Sequence, residues 1–210
     1  MIHVHHLSKC FGEHTVLKDI NVVFGKGKIH GVVGRNGSGK TVLFKAICGL
    51  VTIEEGAVYI NGEQIGKEIE MPRSIGVIIN EPGFIANMSG ISNLKLLAAI
   101  KGKAKGKDIE GTMRMVGLDP DERKHVGKYS LGMKQRLAIA QAIMEDPEVL
   151  IFDEPMNGLD NNGVTEMREL FKRLRAQGKT ILLSSHNPSD IDELCDSVYE
   201  IDSGTLRMKR

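Results

Sequence analysis

The run G-R-N-G-S-G-K-T at residues 34–41 constrains this chain more than any other stretch. It fits the pattern G-x-x-x-x-G-K-[ST]. It follows an apolar run at residues 29–33 that reads as a buried strand, and it precedes residues 42–50, which read as a helix. In a loop so placed, glycine reaches backbone conformations that L-residues resist. Successive N–H groups of Gly34, Arg35, Asn36, Gly37, Ser38 and Gly39 can then turn inward onto a polyphosphate at a helix N-terminus. Lys40 would reach the β- and γ-phosphates, and Thr41 would hold Mg²⁺ through its hydroxyl. An ordinary Gly-rich strand-to-helix turn would need none of the full eight-residue match in this context.

A chain of 210 residues can bury a core and suits one domain, with or without a small appendage. Its net charge of +1 sets up no global basic field, so no direct contact with nucleic acid is expected. The basic run K-G-K-A-K-G-K at residues 101–107 has no aromatic side chains interleaved to stack bases and reads as a solvated loop. Cys10, Cys48 and Cys195 are odd in number and far apart, which suits a reduced cytosolic setting. The start M-I-H-V-H-H lacks the apolar stretch of a signal peptide, and no run approaches the ~20 apolar residues that span a bilayer. Work at a membrane would therefore require docking to something else.

Residues 2–7 and 15–24 alternate apolar and polar side chains like half-buried antiparallel strands. Of His3, His5 and His6, only His3 and His5 would share a face, and without a third ligand they read as surface strand histidines. Residues 56–62 form a strand closed by an Asn-Gly turn, and residues 74–79 a buried one. A small antiparallel sheet, about 1–30 and 55–78, is expected beside a core of about 31–54 and 146–210. Between them, about 84–145 reads as a helical insertion. Its helices are placed at 93–100, at 109–116 after an Asp108 N-cap, and at 131–144. Met88, Met113, Met115, Met133 and Met144 read chiefly as fillers of irregular core gaps. From residue 147, strands at 149–152, 180–184 and 197–201 alternate with helices at 164–176 and 189–195. That alternation implies an α/β fold with a mostly parallel sheet.

The phosphate loop gains its meaning from V-L-I-F-D-E-P at residues 149–155. An apolar strand ending in two carboxylates sets Asp153 and Glu154 at the carboxyl edge of the sheet, where open α/β sheets bind ligands. Asp153 can take Mg²⁺ through its water shell. Glu154 can polarise a water for in-line attack at the γ-phosphorus. Between the two motifs lies K-Y-S-L-G-M-K-Q-R-L at residues 128–137, and here the chain resembles the nucleotide-binding subunits of ATP-binding cassette (ABC) transporters. The family's L-S-G-G-Q signature is present in altered form as Tyr129, Ser130, Leu131, Gly132 and Met133. The other motifs run in the family's order: an aromatic near Phe11, the 34–41 loop, Asp153-Glu154, N-G-L-D ending at Asp160, and His186 after the strand 180–184.

That resemblance implies the ABC ATPase fold, a phosphate-loop core joined to an antiparallel β subdomain and a helical insertion. It also implies ATP and Mg²⁺ as cofactors and two subunits packed head to tail, as a homodimer in the simplest case. Each ATP would lie between the loop of one subunit and Ser130 and Gly132 of the other, with Asp160 nearby and His186 bonded to the γ-phosphate. A separate integral membrane permease is the implied partner, reached from the inner face of the cell membrane. Phe11 reads either as a platform for adenine or as core.

Three departures stand out. Asn80 takes the place of the Q-loop glutamine and is one methylene shorter, so Asn80 or Glu81 is expected to sense the γ-phosphate and to help hold the metal. Leu131 and Met133 replace a glycine and a glutamine, whereas Ser130 and Gly132 are retained, so catalysis is expected to survive. The form Y-S-L-G-M-K-Q-R is similar to cassette subunits of bacterial exporters of the bacitracin-resistance type. Residues 84–87, with Met88, read either as a docking site for the membrane subunit or as ordinary loop packing. The leading expectation is an ATP-hydrolysing transporter subunit. A soluble ATPase remodelling DNA or ribosomes is the alternative, although the interval from Thr41 to Ser130 is too short for a long coiled-coil arm. A degenerate regulatory subunit is disfavoured by the presence of Lys40, Asp153, Glu154 and His186.

Overall fold

The computed structural model describes residues 1–79, 83–101 and 106–210, so the expectations placed on Asn80 and Glu81 lie outside the described residues. In chain order the elements are β1 (Ile2–Phe11), β2 (His14–Phe24), β3 (Ile29–Val33), α1 (Lys40–Ile47), β4 (Glu55–Ile60), β5 (Glu63–Gln64) and β6 (Ile75–Ile78). The helical stretch holds α2 (Gly90–Lys101), α3 (Gly106–Met115), a 3₁₀ turn (Val126–Lys128) and α4 (Leu131–Ile143). Then follow β7 (Val149–Asp153), α5 (Asn161–Ala176), β8 (Thr180–Ser184), α6 (Pro188–Leu194), β9 (Ser197–Asp202) and β10 (Thr205–Met208).

Two sheets result. One is antiparallel, in the order β2-β1-β4-β5; the other runs β10-β9-β3-β8-β7-β6 and is parallel except for β10. Every residue of β8 is buried, as befits a strand covered on both faces by crossover helices. One apolar cluster packs the helical stretch and also α5 and α6 with the parallel sheet, and in it the rings of Phe152 of β7 and Phe171 of α5 stack at 4.8 Å. The other joins the two sheets around α1, with Phe24 and Phe44 fully buried.

Several local expectations change. β6, expected among the antiparallel strands, pairs parallel with β7 from Ile75–Val149 to Ile78–Phe152. An apolar strand buried on both faces is what a parallel sheet requires. Asp108 does not cap α3; the helix begins two residues earlier, and Asp108 sits in its first turn, where its carbonyl accepts from Thr112 Oγ1 at 2.8 Å. The chain does not end on β9, because Ser203 and Gly204 turn it back with φ of 49° and 80° into the exposed edge strand β10. In β1 the alternation breaks at His6, φ 47°, where the register with β2 shifts. That extra residue returns Leu7 to the buried face, while the His3 and His5 rings stack at 5.9 Å.

Candidate functional site

The loop between β3 and α1 is shaped by what packs beneath it. Gly39 caps α1 at φ 110°, and a Cβ there would stand 3.0 Å from Leu17 Cδ2 and 3.1 Å from the Val16 carbonyl, both on β2. A Cβ on Gly34 would run into the Ile201 carbonyl of β9. The neighbouring strands thus leave room for backbone alone, and the loop's amides are set at the N-terminus of α1. Lys40 is buried, and its ammonium donates to the carbonyls of Gly34 at 2.7 Å and Arg35 at 3.1 Å. Its charge is therefore held inside the curve of the loop. Ser38 Oγ is buried without a hydrogen-bond partner, a polar atom that an oxyanion there would satisfy.

The ends of β7 and β8 supply the opposing wall. Their register pairs Asp153 with Ser184, whose hydroxyl donates to Asp153 Oδ1 at 2.5 Å. Thr41 Oγ1, on the first turn of α1, donates to Asp153 Oδ2 at 2.5 Å. A hydroxyl and a carboxylate in contact form the hard oxygen set that suits Mg²⁺, so the residues present fit that ion.

Glu154 leaves β7 with φ 53°, a left-handed conformation that is strained for a residue with a side chain. Its N–H donates to Ser184 Oγ at 3.0 Å, and its Oε2 accepts from the His186 N–H at 3.1 Å. His186 Nε2 lies 3.2 Å from Oε1, yet that oxygen is buried and receives no well-aligned hydrogen bond. Burial pushes the Glu154 carboxyl above the ordinary glutamate range, against the pull of the His186 amide and imidazole. The result is a carboxylate made more basic by burial, with one oxygen short of an aligned hydrogen bond.

Residues 36–41, Asp153, Glu154 and His186 line one cleft of about 480 Å³ with Phe11, whereas Gly34 and Arg35 line a neighbouring one. Phe11 is 52% exposed, so it is not core. The Lys9 ammonium sits 4.8 Å from the centroid of its ring, held by Glu54 at 2.7 Å.

Ser130, Gly132 and Asp160 are not on this cleft. Ser130 caps α4, its Oγ accepting from Met133 N at 3.2 Å, and it stays exposed. Leu131, 60% exposed, lies over Gly158, and a Cβ on Gly132 would stand 2.9 Å from the Gly158 carbonyl. The altered signature therefore packs on the loop before α5. Asp160 caps that helix through Oδ1, which accepts from Gly163 N at 2.8 Å. The residue that sequence reasoning missed is Ser184, which touches both Asp153 and Glu154. Its only signal was a hydroxyl closing an apolar strand two residues before His186.

The profile of the ABC transporter family matches residues 17–157. An uncharacterized ABC transporter ATP-binding protein of Bacillus subtilis (strain 168), YybJ, is 43% identical over 206 residues, which cover 98% of this chain and 94% of that protein. The bacitracin transport ATP-binding protein BcrA of Enterococcus faecalis is 42% identical over 208 residues, 98% of this chain and 68% of BcrA. In fold, a dimeric bacterial ABC transporter cassette superimposes with a TM-score of 0.90 at 22% identity, covering 100% of this chain and 98% of that one. With a profile match across most of the sequence and two relatives at 42 and 43% identity along nearly all of it, the chain belongs to the ABC transporter family, among its ATP-binding cassettes.

Proposed function

We propose that this cassette binds and hydrolyses ATP as one subunit of an exporter, closing head to tail on a second copy and driving a separate integral membrane permease. The observation that carries the chemistry is the Glu154 carboxylate on the wall of the phosphate-loop cleft, whose buried Oε1 receives no aligned hydrogen bond although His186 Nε2 stands 3.2 Å away. A water hydrogen-bonded there would be activated as its proton passes to Oε1, in line with a γ-phosphoryl group cradled by residues 34–41. Lys40 would exchange its carbonyl partners for phosphate oxygens, which accept charge-assisted bonds. Thr41 and Asp153 would hold Mg²⁺, which when bound neutralises charge building on the β- and γ-oxygens. His186, half exposed at the cleft rim, would donate to the γ-phosphate, and Phe11 would stack on adenine.

The separation of Ser130 and Gly132 from the cleft supports a two-chain site: donors at the start of α4 would meet the nucleotide of the facing subunit. Nucleotide held between two surfaces favours the closed pair, and its hydrolysis releases them. The name of BcrA points to peptide antibiotics as the cargo class. Relatives named for transport along nearly the whole chain weigh against the DNA- or ribosome-remodelling alternative.

Residues 84–87 divide between the two roles considered for them. Phe84 packs against the core, whereas Ile85 is 43% exposed on a backbone clamped by buried Asn93, which accepts from Ile85 N at 2.8 Å and donates to Ile85 O at 3.1 Å. A rigidly displayed apolar side chain suits docking to the permease. Ile85→Asp is expected to abolish co-purification with the membrane subunit while the isolated chain keeps its ATP turnover; unchanged co-purification would remove Ile85 from that contact. The chemistry is tested by phosphate release from the purified chain with ATP and Mg²⁺, and a chain without turnover at high protein concentration would overturn it. Ser184→Ala, which frees Asp153 Oδ1 and the Glu154 N–H together, is expected to lower kcat roughly 10- to 100-fold, as a small misplacement of reacting groups does.

A further inference from the structure

His186 rides on a three-residue connection between β8 and α6, and its neighbour Ser185 is tied to α6 and, through it, to α5. Ser185 is buried; its Oγ donates to Asp190 Oδ2 at 2.7 Å and accepts from the Asn187 N–H at 3.1 Å. Asp190, 1% exposed on the first turn of α6, uses its other oxygen for the Arg168 guanidinium of α5, with Nη2 at 2.6 Å and Nε at 2.9 Å. Arg168 is completed by Glu193 Oε2 at 2.7 Å, and Lys172 holds the second Glu193 oxygen at 2.7 Å.

The two carboxylate oxygens of Asp190 thus have different jobs. Oδ1 accepts two N–H groups of the Arg168 guanidinium, which hold it in place, and Oδ2 accepts a single hydroxyl. That hydroxyl belongs to the residue between Ser184 and His186, both of which touch Glu154. Ser184 is held in the ladder by its pairing with Asp153, so a shift of Ser185 bears on the contact of His186. Stability alone is a weak reason for such an arrangement, since a well-packed apolar substitute for a buried ion pair is often neutral or stabilising.

We propose that Arg168 and Asp190 are positioning residues for His186, acting through the Ser185 hydroxyl to set its ring against Glu154 and the γ-phosphate. This rests on the reading of the cleft as an ATP-hydrolysing site. Steady-state ATP hydrolysis by the purified chain tests it, with Ser185→Ala, Ser185→Thr, Asp190→Asn, Arg168→Met, His186→Ala and the Ser185→Ala/His186→Ala pair. Melting temperatures are read on each. Ser185→Ala is expected to lower kcat roughly 10-fold or more with KM for ATP unchanged. Ser185→Thr, which keeps the hydroxyl, restores the rate. The double variant falls no further than His186→Ala alone, because the hydroxyl acts through that histidine.

Arg168→Met and Asp190→Asn can lose rate through partial unfolding, so the decision rests on the serine, whose loss leaves the helix pairing intact. Full kcat in Ser185→Ala overturns the proposal, as do additive losses in the double variant. If Glu154→Gln stops hydrolysis while Ser185→Ala does not slow it, only this inference fails; if the unaltered chain does not hydrolyse ATP, the reading of the cleft fails with it.

Discussion

Glu154→Gln is expected to lower kcat for ATP hydrolysis roughly 10²–10⁴-fold, the usual worth of a general base, while ATP binding is retained. The amide matches the carboxylate in shape and can still accept the His186 N–H, whose partner is Oε2 at 3.1 Å. What disappears is the basic carboxylate, whose Oε1 receives no aligned hydrogen bond. Burial raises the Glu154 pKa, so the acid limb of the wild-type rate should lie above the ordinary glutamate range, with activity falling as pH drops through it. The residual rate of the variant should lack that limb. The linkage to folding runs the other way. A carboxyl whose pKa is raised in the folded chain supports the fold most when protonated, and that support is lost as pH rises through the folded pKa. The glutamine variant should therefore melt no lower than the wild type at neutral pH. Unable to discharge ATP, it should also accumulate as a dimer with ATP and Mg²⁺ in size-exclusion chromatography. A monomer alone at high protein concentration would remove the head-to-tail closure, and an unchanged kcat would remove Glu154 as base.

How much of this cleft could be read from the chain depends on where each signal resides. β3 and β8 have the bounds their apolar runs suggested, because both are central strands, β8 buried along its whole length and β3 at every residue but Val33, and they end abruptly at Gly34 and Ser185. β6 is equally apolar, but its sheet is decided by its pairing with β7, far along the chain, and composition does not encode that partner. β10 was missed because an exposed edge strand carries no burial pattern. Asp153 and Glu154 were legible as charges closing an apolar strand, whereas Ser184 was not, since one hydroxyl acquires its role only through the register that sets it beside Asp153. Phe11 was open between core and cleft until the fold left its ring exposed beside the phosphate loop. Asp160, expected near the nucleotide from the family resemblance, caps α5 through Oδ1 and, like Ser130, lies outside this chain's own cleft.

Lys40→Met is expected to weaken ATP binding by about 1.5–3 kcal/mol for each charge-assisted bond lost, roughly 10- to 100-fold per contact. Methionine retains much of the buried stem, so the packing against the loop largely survives and the melting temperature should stay near that of the wild type. In the fold the ammonium bridges the carbonyls of Gly34 and Arg35, at the two first positions of the loop. Those oxygens can turn to water in the variant, since Arg35 is exposed and Gly34 only half-buried. The deficit should therefore fall on the ligand more than on the fold. Its size should depend on which phosphates are present: large for ATP, smaller for ADP and slight for AMP, because the lysine is assigned to the β- and γ-groups. Phe11→Ala should weaken all three about equally, since every one of them carries the base. Calorimetric titration of the three nucleotides into both variants separates the roles. Equal weakening of AMP and ATP by Lys40→Met would show that the lysine acts by shaping the loop and not by meeting the terminal phosphates.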